Sequence, residues 1–263
     1  MLAPYLVHAF NTAKASENKI HDDTVAARFG FTGGLVPGVD VYAYMTHQAV
    51  AKWGRDWLEH GSIECRFGKP VYDGETAQVT ASAIEGGIGI AVASNGDSCA
   101  VGSAALPQAE PAPDPASWPS PLVPEQRPAA SEASLPVGGW LASRTVDCTP
   151  EFVRQYLEDV RETASLYAEE GLVHPGTVLR LCNYALSSNV VLGPWIHVGS
   201  KVRNFAAARV GDGLVARAQV ISNHMHKGHK FVVLDALVVA NGRTAIARVE
   251  HTAIYLPRQV AEG

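Results

Sequence analysis

Two stretches of the chain are apolar on nearly every side, and each is followed by four runs in which apolar and polar residues alternate. The first, LVPGVDVYAYMTHQAVAKWG, predicts a helix that starts near Pro37 and stops at Gly54, with proline and glycine where helix ends favour them. Such a helix has no polar side to offer water, so a sheet must wrap it. Alternation over residues 62–67, 76–84, 89–94 and 99–106 predicts four strands. They are broken by Gly86-Gly87 and Asn95-Gly96-Asp97, residues that tolerate the positive φ of hairpin turns. The second apolar stretch, HPGTVLRLCNYALSSN, predicts another buried helix. Strands follow at 195–205, 214–223, 230–239 and 244–256, with turns at Lys227-Gly228 and Asn241-Gly242. Ahead of that helix, EFVRQYLEDVRETASLYAEEG reads as one amphipathic helical stretch with an apolar stripe of Phe152, Tyr156 and Val160.

The two series repeat at a constant offset. Pro37 to Phe67 and Pro175 to Phe205 both span 30 residues, and the same shift of 138 carries Trp57 onto Trp195. Between the halves, residues 107–136 hold nine of the 16 prolines, which neither a helix nor a central strand accommodates. The expected organisation is one unit over 1–106, an extended linker over 107–136 pinned by Trp118 and Leu122-Val123, and a second unit over 137–263. The fold class is α+β: a long central helix wrapped by an antiparallel sheet, occurring twice.

Composition narrows the partners more than the chemistry. Hydrophobic residues make up 47% and charged residues 18%, as in a well-buried globular protein, and a net charge of -5 gives no footprint for nucleic acid. No apolar run reaches the roughly 20 residues of a membrane-crossing helix, and MLAPYLVHAF lacks the basic head of a secretory signal. Cys65, Cys99, Cys148 and Cys182 are scattered, which suits reduced thiols in the cytoplasm. No GxSxG, GxxxxGK[ST] or strand-borne GxGxxG occurs, so serine-nucleophile and phosphate-loop chemistry find no support. In NHMHKGH, alternation puts His224 and His226 on one face, but the segment spans a turn without a nearby carboxylate or cysteine; no metal and no cofactor are expected.

The segment before the first central helix carries a resemblance. Asn18-Lys19-Ile20-His21-Asp22-Asp23, then Ala27, Gly30-Phe31 and Pro37-Gly38, resembles the hydratase signature of the MaoC-like (R)-specific enoyl-CoA hydratases and dehydratases, D-x-N-P-I-H-x-D followed by alanine, G-F and H-G. Arg66-Phe67-x-x-Pro70-Val71 with Asp73-Gly74, and the second half through Trp195-Ile196-His197-Val198 to His251-Thr252-Ala253-Ile254-Tyr255, are similar to later parts of the same superfamily. The resemblance implies a double hot-dog fold with antiparallel central helices and a substrate along their seam. It implies a lyase that adds or removes water on an α,β-unsaturated acyl thioester, carried by CoA or a carrier protein, and a possible homodimer. In that reaction an imidazole moves protons, and free N–H groups at a helix start receive the charge that develops on the thioester oxygen. On this basis His21 matches the catalytic histidine, Gly38 the oxyanion donor and Asp23 the second carboxylate of the signature.

Two positions depart from the signature. Ser16 stands where the catalytic aspartate is expected, and Pro37 where a histidine precedes the glycine. Glu17 is adjacent to Ser16, and Asp22 to His21. In the second half Asp159 falls at the shifted position of His21, and His174 precedes Pro175-Gly176. The acid–base pair is therefore either rebuilt or split between halves. The catalytic candidates are His21, Glu17, Asp23, Asp159 and His174; the substrate-binding candidates are Ser16, Pro37, Gly38, Tyr42, Tyr167 and Gly176. Plainer roles exist for several: a loop His21 beside a helix predicted over 23–29 and capped by Asp22 or Asp23, a Gly38 that merely packs closely, and a Tyr42 in the core. Three functions stay open: the lyase, a hot-dog thioesterase in which Glu17, Asp23 or Asp159 activates water, and a non-catalytic acyl-binding protein.

Overall fold

The computed structural model describes residues 2–14, 16–21, 26 and 31–258, so Asp22, Asp23 and, apart from Ala26, the helix expected over 23–29 lie outside the described residues. Among the described residues, eleven strands form a single antiparallel sheet. In chain order they are β1 (Tyr5–His8), β2 (Ser62–Phe67), β3 (Thr76–Ile84), β4 (Gly87–Ser94), β5 (Asp97–Ala105), β6 (Trp140–Ala142), β7 (Val146–Asp147), β8 (Ile196–Asn204), β9 (Gly213–His226), β10 (His229–Ala240) and β11 (Thr244–Leu256). They lie in the order β1-β3-β4-β5-β2-β8-β11-β10-β9-β6, with β7 also on β9. The halves meet at β2 and β8, which pair antiparallel from Ser62 opposite Arg203 to Arg66 opposite Gly199.

The hairpins are tighter than the sequence suggested. Asn95 (φ 50°) and Gly96 (φ 81°), and Lys227 (φ 50°) and Gly228 (φ 81°), form two-residue connections with positive φ at both positions, so the flanking strands extend to the turn itself. β5 accordingly starts two residues earlier than expected and β9 takes in His224 and His226, while β4 starts two residues early because Ile84 pairs with Gly87 across the Glu85-Gly86 turn.

The sheet curls around two helices, α1 (Gly38–Trp53) and α5 (Gly176–Ser187); the shorter α2 (Arg55–His60), α3 (Pro150–Asp159) and α4 (Leu166–Glu170) stand beside them. Most of α1 is buried, as its lack of a polar side requires. Near the seam Asp40 of α1 meets Arg180 of α5, while a Cβ added at Gly176 would lie 2.9 Å from that of Ala43. One contact advances along α1 as the other retreats along α5, so the central helices run antiparallel. The Asp40–Arg180 ion pair (2.9 Å), with Thr12 donating to Asp40 (2.6 Å), locks them together.

Two expectations are corrected. The helical stretch over 151–171 breaks between α3 and α4, where Arg161 has φ 57°. The break lets Glu162 turn inward, and its Oε1 accepts from the N–H groups of Thr163 and Ala164 (both 2.7 Å). In the linker, Trp118 does pin the chain, packing edge-on against Trp140 at 5.7 Å, but Leu122 is 94% exposed and pins nothing. The linker is held by polar contacts as well: Arg217 donates to the carbonyls of Pro115 and Trp118, and Arg127 to Glu17 and to the Ser187 carbonyl. Among the described residues, no helix is long and apolar enough to cross a membrane.

Candidate active site

α1 begins without help. Its N-cap is Pro37, which offers no side-chain acceptor, so the first N–H groups, that of Gly38 among them, have no cap. The helix N-terminus therefore presents free donors and the positive end of its dipole. Beside it stands His21, at the end of a short turn over Lys19–His21. The Nδ1–H of His21 donates to the Leu35 carbonyl (2.8 Å). Because a carbonyl only accepts, the neutral ring carries its proton on Nδ1, and Nε2 is left with its lone pair as an acceptor. Burial pushes the His21 imidazole below its ordinary range, opposed by the Leu35 bond and by the charge of Asp40. At neutral pH the ring is thus an uncharged base.

Nε2 accepts a long bond from the Asn18 amide NH₂ (3.4 Å). Asn18 also spans the seam, donating to the Trp195 carbonyl (3.0 Å) and accepting from the Trp195 N–H (3.3 Å). Among the described residues, no carboxylate hydrogen-bonds to His21. Its orientation comes from a backbone carbonyl.

Two cavities meet here. An inner one of about 160 Å³ is walled by apolar side chains such as Ile20, Leu35, Val41 and Phe67, with Gly38 and His197 at one end. An outer cleft of about 670 Å³ runs between the 12–21 loop and α5, and is edged by Arg127, Arg144 and Arg180. Both are lined by Asn18, His21, Pro37, Asn183 and Trp195, so His21 stands where a broad polar entrance narrows to a small apolar chamber. A groove of about 650 Å³ on the sheet elsewhere is lined by Glu64, Lys201, Arg248 and Glu250 among others, and contains no imidazole.

The expected site residues divide into groups. Ser16, Glu17, Pro37 and His21 line the outer cleft, and Pro37, Gly38 and His21 the inner chamber. The Ser16 hydroxyl donates to the Asn18 carbonyl (3.3 Å), which helps shape the loop that carries His21. The Glu17 carboxylate is held by Arg127 through two bonds (2.9 and 3.1 Å) and is largely exposed.

His174, Tyr167, Tyr42 and Gly176 form a second, closed cluster in the core. The Gly176 N–H donates to Nδ1 of His174 (3.0 Å), whose Nε2–H faces Glu162 (3.3 Å). The other carboxylate oxygen of Glu162 meets His47 (2.8 Å). Burial would raise this carboxyl, but the hydrogen bonds from His174 and His47 outweigh it and hold it well below the usual range. A Cβ at Gly176 would fall 2.2 Å from the Tyr156 hydroxyl, so that helix start is occupied. Tyr42, Tyr156 and Tyr167 are buried with unpartnered hydroxyls. Asp159 is far from either group in its bonding: it accepts from Gln155 on the flank of α3 (2.9 Å) and lines neither cavity. Asp23 lies outside the described residues.

Sequence reasoning passed over Asn183 and gave His197 no role. Both come from the second half, and no local motif marks them. Among the described residues no group of three or more side chains is placed to hold a metal ion.

No protein-family model matches the sequence, and no curated protein is found similar to it. Solved structures are similar in fold. One described as a MaoC domain dehydratase from Chloroflexus aurantiacus has 12% identity and a TM-score of 0.60, over 97% of this chain and 94% of that one. A Mycobacterium tuberculosis protein with a double hotdog fold has 16% identity and a TM-score of 0.59, over 97% and 96%. One described as a thioesterase from Novosphingobium aromaticivorans has 14% identity and a TM-score of 0.50, over 85% and 89%. At these identities the likeness shows the fold: the chain is a double hot-dog.

Proposed function

We propose that the chain is a lyase that adds water to, or removes it from, an α,β-unsaturated acyl thioester, with His21 as the acid–base group. One observation carries this reading: the Leu35 carbonyl fixes the lone pair on His21 Nε2, which meets only a long bond from the Asn18 amide (3.4 Å), in a cavity that also reaches the uncapped start of α1. The acyl chain enters the apolar chamber, the thioester oxygen faces the Gly38 N–H, and the carrier lies in the outer cleft, where the exposed Arg144 suits a phosphate-bearing arm such as that of CoA.

In the hydration direction Nε2 takes a proton from water as the water oxygen bonds to the β-carbon. The electron pair of the double bond moves toward the carbonyl, and the resulting enolate oxygen accepts from the helix start. Nε2–H then returns its proton to the α-carbon, which restores the thioester and the neutral imidazole. A single group serves in both steps, so the carboxylate that Ser16 replaces is not needed to balance the reaction. The neighbours described as MaoC-like dehydratases support the addition or removal of water as the reaction type.

The test is incubation with crotonyl-CoA, following loss of the conjugated absorbance and formation of 3-hydroxybutyryl-CoA by chromatography. Hydration without release of free CoA, lost in His21→Ala, is the expected result. Release of CoA from saturated and unsaturated acyl-CoA alike points to a thioesterase, and binding without turnover to an acyl-binding protein. Either outcome ends the lyase reading.

A further inference from the structure

The second half places a polar chain behind the chamber, and its direction is fixed by one carbonyl. Nε2 of His197 lies 3.2 Å from the Gly199 carbonyl oxygen and 2.8 Å from the Ser200 hydroxyl. The carbonyl can only accept, so Nε2 carries the proton. Ser200 accepts from it and turns its own hydroxyl hydrogen to Nδ1 of His251 (3.0 Å). His251 is then protonated on Nε2, which donates to Oδ1 of Asn183 (3.0 Å). The two imidazoles stack at 4.2 Å. Burial, and for His197 also the neighbouring His251, keeps both rings neutral far below the ordinary histidine range, His251 down to about 3. The order of donors therefore does not change across the working pH range.

The end of the chain is what matters. An asparagine amide can ordinarily flip, but here Oδ1 is claimed from behind, so the NH₂ group must face the other way. Asn183 is half-buried, lines both cavities beside His21 and Trp195, and its NH₂ group has no partner among the described residues. We propose that Asn183 is a substrate-binding donor from the second half, its NH₂ aimed by the Gly199–His197–Ser200–His251 relay at the carbonyl oxygen of the bound acyl thioester, where it joins the N–H of Gly38. This rests on the acyl-thioester reading above and adds a second donor to it. His197, Ser200 and His251 are positioning residues.

The experiment is calorimetric binding of butyryl-CoA and of S-butyl-CoA, the thioether that lacks the carbonyl. Neither undergoes hydration, so binding is read apart from turnover. The wild-type protein is expected to prefer the thioester, and Asn183→Leu to lower that preference roughly five- to tenfold. Asn183→Asp, which keeps the shape and the acceptor for His251 but removes the donor, lowers it at least as far and serves if the leucine variant does not fold. Ser200→Ala is the readout of the relay: Ser200 lines neither cavity, yet cutting the chain there frees the amide to turn, and the preference falls with the thioether's own affinity unchanged. A wild-type preference near one, or an unchanged preference in the Asn183 variants, overturns the donor while leaving crotonyl-CoA hydration as evidence for the lyase. An unchanged preference in Ser200→Ala overturns the relay. If neither compound binds, the acyl-thioester reading falls and this inference with it.

Discussion

The starts of α1 and α5 stand at corresponding places in the two halves, each a proline followed by a glycine with a histidine close by, yet only one is open. At the α5 start the imidazole and the first glycine are consumed and the space is filled. The Gly176 N–H goes to His174, the other nitrogen of His174 goes to Glu162, and the Tyr156 hydroxyl fills the space a ligand would need. At the α1 start one nitrogen of His21 donates to a carbonyl behind it, the other accepts only a long bond from Asn18 (3.4 Å), and the helix donors face a chamber. The same residue types give a closed network in one half and a reactive surface in the other. What separates them is which groups remain unpaired beside empty space.

The strongest way to break that contrast is to delete each imidazole. His21→Ala is expected to lower crotonyl-CoA turnover by about 10²–10⁴-fold, while the melting temperature stays within a few degrees. His174→Ala should do the reverse, keeping turnover within a few-fold but costing about 3 kcal/mol in denaturant unfolding, because Glu162 is left buried with one partner fewer. A His174→Ala variant that folds normally and loses turnover would reverse the assignment of the two halves.

Adding a methyl group at each helix start gives the next largest effect. Gly176→Ala forces a Cβ to 2.2 Å from the Tyr156 oxygen and is expected to destabilise by about 1–3 kcal/mol. Gly38→Ala meets His197 Nδ1 at 3.2 Å and Phe67 at 3.4 Å, a milder crowding. Its cost should appear in turnover before it appears in stability. Unfolding curves and initial rates for the two variants, measured side by side, decide the point.

Acid distinguishes the open half from the ordinary behaviour of histidine. His21 is pushed below its ordinary value of about 6.5, so the base form persists and turnover should hold steady through pH 6.5, falling only below it. Stability carries a related sign. His21, His197 and His251 are held neutral in the fold, whereas in the unfolded chain they take up protons near 6.5. The unfolded state binds more protons below that value, so stability is lost as pH falls from 6.5 toward about 3, where His251 titrates in the fold. Each such histidine contributes a slope of at most about 1.4 kcal/mol per pH unit. A flat unfolding free energy between pH 6.5 and 5 would contradict the burial of all three.

The smallest expected effect belongs to Asp159. Its partner is Gln155, so Asp159→Ala should leave turnover unchanged and shift stability by no more than about 0.5 kcal/mol. A larger loss of activity would mean that its position at the offset from His21 is functional after all.

The sequence disclosed what is local and periodic. Apolar helices bounded by Pro and Gly, alternating strands and Asn-Gly turns identified both central helices and the strands that wrap them, and a linear motif led to His21 and Gly38. It did not disclose the break at Arg161, because the helix there yields to a buried carboxylate, Glu162, whose partners His47 and His174 lie 115 and 12 residues away. Nor did it disclose Asn183. That amide meets His251, 68 residues on, and lines the same cavities as Asn18 and Trp195, which meet across 177 residues. The two tryptophans that the offset of 138 aligns are both buried, but Trp195 also lines both cavities and Trp57 neither. Duplication preserves a scaffold more faithfully than it preserves the use of each position.

The junction of β2 with β8 has a consequence for handling the molecule in pieces. Cleaving the chain within 107–136 would leave a sheet of five strands and one of six, each ending in a strand stripped of its neighbour. Those bare edges are templates for pairing. The two fragments would be expected to seek each other in solution and restore the cleft on joining, so the break-point doubles as a place to install a reporter that reads reassembly.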